Sequence, residues 1–204
     1  MPNTNIVNVS RRSFLKSGLA AGVGLTLGIF PPVSAKRCDP GSDKADTHPV
    51  NKEVASAPNA FVRIAPDNTV TVIAKHLEMG QGTYTGLATL VAEELDADWA
   101  QIRVEGAPAN AKLYRHLGGE DQDTYGSTSL SNSFMQMREA GAVAHKMLVT
   151  AGAKQWSVAE TEIEVHAGML THPASGKRAT FGELAEAAAV EPVPQKVLLK
   201  NPDE

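Results

Sequence analysis

The sequence predicts an α+β fold, and three observations carry that prediction. Strand-like alternation comes in pairs, at "FVRIAPDNTVTVIAKH" and again at "TEIEVHAGMLTHPASGKRAT". Two longer segments between them carry apolar residues at helical spacing. The resulting order is β-β-α-β-loop-α-β-β-α, which groups strands and helices rather than alternating them strictly.

The first 35 residues predict an export signal. "SRRSFLKSGLAAGVGLTLGIFPPVSA" has a positive head at Arg11-Arg12, a mildly apolar run from Ser17 to Phe30, and the small residues Val33-Ser34-Ala35 that a signal peptidase accepts. The run is 14 residues long, short of the roughly 20 a bilayer span needs. The S-R-R-x-F-L-K pattern resembles a twin-arginine signal. That route carries folded proteins, often around an inserted cofactor, so the periplasm is the expected destination. Residues 36–59 are polar, rich in Pro, Asp and Lys, and without apolar period, which predicts a linker. His48 stands alone there, too isolated for a metal role. Cys38 is the only cysteine, so the chain holds no internal disulfide and no all-cysteine metal or iron–sulfur site.

The folded part is expected over residues 60–204. Phe61 to His76 reads as two strands around the turn Pro66-Asp67-Asn68. Tyr84 to Asp96 reads as a helix with Leu87, Leu90, Val91 and Leu95 on one face, capped by Thr83 or Thr85. "AQIRVEGAP" predicts a third strand. "NAKLYRHLGGEDQDTYGSTSLSNS" has little period and predicts a long loop, a kind that is usually functional or disordered. A second helix is expected from about Leu130 to Gln155, with Phe134, Met137, Ala140, Gly141, Ala144, Met147 and Leu148 as its buried stripe. Its small-sided middle, "EAGAVA", invites another backbone to pack closely. Two strands joined near Gly168 follow, then a short helix, "FGELAEAAA", with Thr180 as its cap.

Charge narrows the function. The net charge is −4, and Arg11, Arg12 and Lys16 are the only charged residues before Lys36, so a chain without its signal carries −7. That balance excludes a nucleic-acid binder, which needs basic clusters against phosphates. The candidate site is the Gly80-Gln81-Gly82 turn between strand and helix. Glycines let a backbone turn sharply or approach a ligand closely, and a helix start offers free N–H groups to an anion. Gln81 supplies an amide donor and a carbonyl acceptor for a heterocycle; the alternative is a plain turn residue.

Three stretches, "EMGQGTYTGLATLVAEELDADW", "YGSTSLSNSFMQMREAGAVAHKML" and "SGKRATFGELAEAAA", resemble the N-terminal portion of the molybdopterin-binding large subunit of the xanthine oxidase family. The branch they resemble includes isoquinoline 1-oxidoreductase beta subunits and related aldehyde dehydrogenases. The resemblance implies that Gly80, Gln81 and Gly82 contact the pterin, and that Ser127, Thr128 and Ser129 contact its pyranopterin and phosphate. Helix capping is the alternative for the three hydroxyl residues. It implies a molybdenum cofactor, molybdopterin in its cytosine dinucleotide form, held through the pterin's own sulfurs, so no protein metal ligand is expected. It further implies hydroxylation of an N-heterocycle or aldehyde with oxygen from water. Electrons then leave through iron–sulfur clusters on a small partner subunit, and in some relatives through a cytochrome c. The family's catalytic glutamate lies beyond this stretch and is not assigned to Glu78, Glu93 or Glu94; Glu93 and Glu94 read as solvated helix residues. The family's large subunit is several times longer than 204 residues, so the chain reads as a fragment, inactive alone. Two rival classes remain: a periplasmic binding or structural module without a redox cofactor, and a hydrolase with "YGSTS" as nucleophile loop. His76, His116, His145, His166 and His172 show no metal-ligand spacing, and the G-x-S pattern is incomplete.

Overall fold

The structure, a computed structural model, describes Leu25–Thr26 and residues 61–201. The predicted linker, and the predicted export signal apart from those two residues, lie outside the described residues. Leu25–Thr26 forms a short strand, β1, paired antiparallel with β2, Val62–Ile64. The turn Pro66-Asp67-Asn68 then reverses the chain into β3, Val70–Ala74, antiparallel to β2. Asn68 takes a positive φ of 69° there, and the Asp67 carboxylate accepts from the Thr69 N–H at 2.9 Å, as turn Asx residues do.

From β3 the chain crosses through helix α1, Thr83–Leu95, into β4, Ile102–Gly106, which runs parallel to β3. This β-α-β crossover was not anticipated in the sequence, which shows three strands but not their directions. Parallel neighbours require such a crossover, usually helical. The sheet order is β1-β2-β3-β4, and all five residues of β3 are buried, so it is the central strand.

The predicted loop contains one helical turn, α2, Ala111–Tyr114, is otherwise irregular as far as Thr128, and gives its last residues, Ser129–Ser133, to the next helix. Helix α3, Ser129–Trp156, follows and packs along α1. Its small-sided middle has the predicted consequence. A Cβ on Gly141 would lie 2.7 Å from the Val91 carbonyl oxygen and 2.9 Å from the Glu94 Cβ, so the two backbones meet at van der Waals contact. The predicted stripe is buried except at Phe134, which is 43% exposed. Phe134 belongs to the surface instead, with the Arg138 guanidinium 5.5 Å from its ring centroid.

The C-terminal part is a three-stranded antiparallel sheet, β5 (Glu164–His166), β6 (Met169–His172) and β7 (Lys177–Thr180), rather than the expected pair of strands. The segment "MLTHPASGKRAT" is itself a hairpin. Its turn closes with the Ser175 and Gly176 N–H groups on the His172 carbonyl, and Gly176 has φ 70°. Helix α4, Phe181–Ala189, starts at Thr180 as predicted: Thr180 Oγ1 accepts from the Glu183 N–H, and Glu183 reaches back to the Thr180 N–H. The small sheet is stitched to the large one through Gln101. The Gln101 carboxamide bonds the Asn68 carbonyl and the Asp98 N–H, and it lies against Gly168, φ 76°, where a Cβ would meet it at 1.9 Å.

Candidate functional site

The carboxyl ends of β3 and β4 and the amino ends of α1 and α3 meet at one end of the molecule. Gly86, in the first turn of α1, abuts Leu130, in the first turn of α3; a Cβ on Gly86 would lie 2.5 Å from a Leu130 methyl. Two helix N-termini therefore converge beside the end of a parallel strand pair. Ligands of α/β sheets bind in that position.

The loop that follows β3 is shaped by two of its own side chains. Glu78 Oε1 accepts from the Gly80 N–H at 2.7 Å and the Gly82 N–H at 3.0 Å, and Glu78 Oε2 from the Tyr84 N–H at 3.0 Å. These backbone donors, Tyr84 first, hold the Glu78 carboxyl below the usual range. Glu78 thus does the capping that was expected of Thr83 or Thr85. The residue at the cap position is Gly82, φ 82°, with no side chain to offer. Gln81 folds back: its Nε2 donates to the Leu77 carbonyl at 2.7 Å and its Oε1 accepts from the Met79 N–H at 2.6 Å. A carboxamide has two donors and two acceptor sites, so one of each remains for a ligand. Gly80, Gln81 and Gly82 are exposed, and a Cβ on either glycine would meet nothing within 4 Å. The open volume over this backbone is available to something outside the described residues.

Ser127, Thr128 and Ser129 lie at the same end, where the long loop enters α3. That loop is tied to the first by two bonds: the Leu77 N–H donates to Thr124 Oγ1 at 2.8 Å, and His76 Nδ1 lies 2.7 Å from the Asp123 carbonyl. The sequence-predicted residues are therefore brought together. Their states differ. Thr128 Oγ1 donates to the Tyr125 carbonyl at 2.9 Å, so it must accept from His116 Nε2, also 2.9 Å away. Ser127 is exposed with φ 56°, and Ser129 opens the helix. Ser127 presents its hydroxyl at the surface, whereas Ser129 is buried at 9% exposure. The Thr128 proton faces a carbonyl and its imidazole neighbour donates, the reverse of what an activated nucleophile requires. That bond removes Thr128 as a nucleophile.

Beneath the loops sits a polar cluster that sequence reading missed: Lys75, His76, His116 and Asn132. Asn132, in the first turn of α3, is its hub. Its Nδ2 donates to the Leu117 carbonyl at 2.8 Å and to His116 Nδ1 at 3.3 Å. Its Oδ1 accepts from the Leu117 N–H at 2.9 Å and from Lys75 Nζ at 3.1 Å. All four of its capacities are used, and with Thr128 as acceptor the network puts a proton on His116 Nε2. His76 donates through Nδ1 to a carbonyl, which leaves Nε2 a bare lone pair, buried and without a partner. Burial holds the His76 pKa below its usual value, so it stays neutral. Among the described residues no group of three or more His, Cys, Asp or Glu is placed to hold a metal ion. An open pocket of about 440 Å³ lies at the far end of α1, between Glu94, Asp96, His145 and the 196–200 tail, away from both loops.

The sequence profile of the molybdopterin cofactor-binding domain matches residues 8–200. The chain belongs to this family. It is 35% identical to the isoquinoline 1-oxidoreductase subunit beta of Brevundimonas diminuta over 90% of its own length and 22% of that protein's. It is 30% identical to a membrane-bound aldehyde dehydrogenase (pyrroloquinoline-quinone) of Gluconacetobacter polyoxogenes over 87% of its length and 21% of that protein's. The crystal structure of quinoline 2-oxidoreductase from Pseudomonas putida 86 superposes with a TM-score of 0.48 at 21% identity, over 63% of this chain and 16% of that one. The chain therefore spans about a fifth of the length of the curated relatives it matches. Family membership displaces the reading of a binding module without a cofactor.

The residues at this end fit a molybdopterin. Open backbone over Gly80 and Gly82 suits a flat heterocycle, Gln81 keeps one donor and one acceptor for its polar edge, and the start of α3 with the exposed Ser127 hydroxyl suits a phosphate. Membership of the family does not itself assign these residues.

Proposed function

We propose that this domain forms one wall of the molybdopterin site of a larger molybdenum-dependent oxidoreductase. The observation that carries the proposal is the tie between two separate loops. Leu77 N–H on Thr124 and His76 on Asp123 bring the Gly80-Gln81-Gly82 backbone and the Ser127–Ser129 hydroxyls to one end of the fold. In this reading Gln81 braces its own loop and presents its remaining donor and acceptor to the pterin. Gly80 and Gly82 admit the ring, and Ser127 takes a phosphate oxygen, with Thr128 holding the loop from within. The bound cofactor supplies the redox chemistry; the protein supplies position and electrostatics.

The cytosine dinucleotide form is the expected cofactor. The whole enzyme is expected to oxidise an N-heterocycle or an aldehyde with oxygen from water. Names of the relatives, an isoquinoline oxidoreductase subunit and an aldehyde dehydrogenase, support that range. A small iron–sulfur subunit, with a cytochrome c as a further acceptor, is the proposed electron route. Export by the twin-arginine route to the periplasm is proposed on the S-R-R-S-F-L-K run. The site is tested by Gln81→Ala in the complete subunit. A buried polar edge left without its partner costs about 1–3 kcal/mol, so molybdenum content at limiting cofactor falls roughly tenfold to a hundredfold. Parental molybdenum content in that variant would leave Gln81 a turn residue and remove the centre of the assignment.

A further inference from the structure

Lys75 is 2% exposed and is among the largest fully buried side chains. Its ammonium bonds the Arg115 carbonyl at 3.3 Å and Asn132 Oδ1 at 3.1 Å. Both acceptors are neutral, and an ammonium has three protons. A buried charge is ordinarily paired with an opposite one. The described groups around it do not provide this. His76 after β3 and His116 on the loop carry no negative charge, and the Asp121 and Asp123 side chains are on the surface, each giving only its main-chain carbonyl to the cluster.

Burial alone lowers the Lys75 pKa, to about 8. The fold therefore keeps a costly cation below the start of α3, next to the two tied loops. Uncompensated buried charges of this kind concentrate at functional sites.

We propose that Lys75 is the counter-charge for a phosphate-bearing ligand held between the 76–82 and 123–129 loops, braced by Asn132 and the Arg115 carbonyl and completed electrostatically only when that phosphate is bound. The inference rests on the cofactor-site reading above and adds a residue to it. Lys75 is a positioning and charge-balancing residue that acts through the α3 start rather than by contact with the reacting centre. The sign of its effect is distinctive. A cation whose folded pKa lies below its unfolded one destabilises the empty protein below about pH 8. That penalty is relieved as pH rises from the folded pKa of about 8 towards the unfolded 10.5. A bound phosphate does the opposite, favouring the ammonium, and its benefit fades over the same rise.

The test uses the cofactor-free full chain and two variants, Lys75→Met and Lys75→Arg, melted in inorganic phosphate and in chloride at matched ionic strength. At about pH 7 phosphate should raise the parental melting temperature over chloride, and the increment should shrink by about pH 9. Lys75→Met should melt at or above the parent in chloride, lose the rise in stability between these pH values, and show no phosphate increment. Lys75→Arg should keep the increment. A Lys75→Met chain that melts below the parent or does not fold would make Lys75 a structural strut and overturn the proposal. So would an equal phosphate increment in Lys75→Met, or none in the parent. Loss of molybdenum in Gln81→Ala is independent of these melts, so the cofactor site can stand where the Lys75 assignment falls.

Discussion

Glu78 shows how a single side chain can shape a site without being visible as part of it. The rule for a helix start looks for Ser, Thr, Asp or Asn at the cap position, and Thr83 and Thr85 lie close enough to attract that reading. Here the cap position is a left-handed Gly82, and the acceptor comes from four residues earlier, by way of a loop that curls over it. Nothing in a linear pattern distinguishes that carboxylate from a solvated one. Lys75 escaped notice for a related reason: its place in a strand register reads as an edge charge, and only the fold puts Asn132 beside it. Gly80, Gln81 and Gly82 draw attention by residue type alone, whereas Ser127 to Ser129 stand out only through the family resemblance. Glu78→Gln keeps the shape and removes the charge. The Gly80, Gly82 and Tyr84 amides should then exchange with solvent markedly faster, and the parental loop should show the same loosening only as pH falls through the lowered Glu78 pKa, below the ordinary 4.5. Unchanged exchange at these three amides would mean that Gln81 alone sets the loop.

Between elements, the governing contact is α1 against α3. Helix extents followed from periodicity, and α4 was readable to the residue because Thr180 and Glu183 form a capping box within four positions. Strand direction was not readable, because alternation is the same in parallel and antiparallel pairs. The β6–β7 turn was passed over because Pro173 to Gly176 spans few residues between short strands. The close approach at Gly141 was legible from composition, and its consequence is steep. Glycine in a helix interior is itself unfavourable by about 1 kcal/mol relative to alanine, so its presence here marks space rather than propensity. Gly141→Val would push a branched side chain into the Val91 carbonyl and the Glu94 Cβ. Overpacking of this kind costs about 1–3 kcal/mol, which urea unfolding should register as a lower midpoint with little change in slope. A neutral or stabilising Gly141→Val would show that α1 can move away freely and that the loops at its amino end are not held by this contact.

Across the whole molecule, the α1–α3 pair is fastened at both ends. The amino ends meet at the two tied loops. The other fastening is Glu94, expected from sequence to be solvated but buried in the structure. It receives Arg138 Nε at 2.6 Å and Nη2 at 2.5 Å, and its second oxygen takes the Lys200 N–H at 3.0 Å. Arg138 Nη2 also donates to the Lys200 carbonyl at 2.5 Å, and Lys200 Nζ reaches Asp96 at 2.6 Å. Helices α1 and α3 and the 196–200 tail are thus locked by one buried ion pair, whose members lie too far apart in the chain for any local pattern to connect. Removing one partner of such a pair strands the other charge and costs about 3–5 kcal/mol. A domain holds only about 5–15 kcal/mol in total, so Glu94→Ala should remove a large share of the stability, with the Lys200 amide losing its protection from exchange first. Replacing both charges by apolar residues strands nothing. Glu94→Leu with Arg138→Leu should recover most of the loss, since an apolar replacement of a buried pair is often close to neutral. The double variant should nevertheless leave the tail loose, because neither leucine can accept from the Lys200 N–H or donate to its carbonyl. Equal destabilisation in the single and double variants would assign the effect to packing volume instead, and the ion pair would then not be what fixes the far end of α1 while its near end shapes the site.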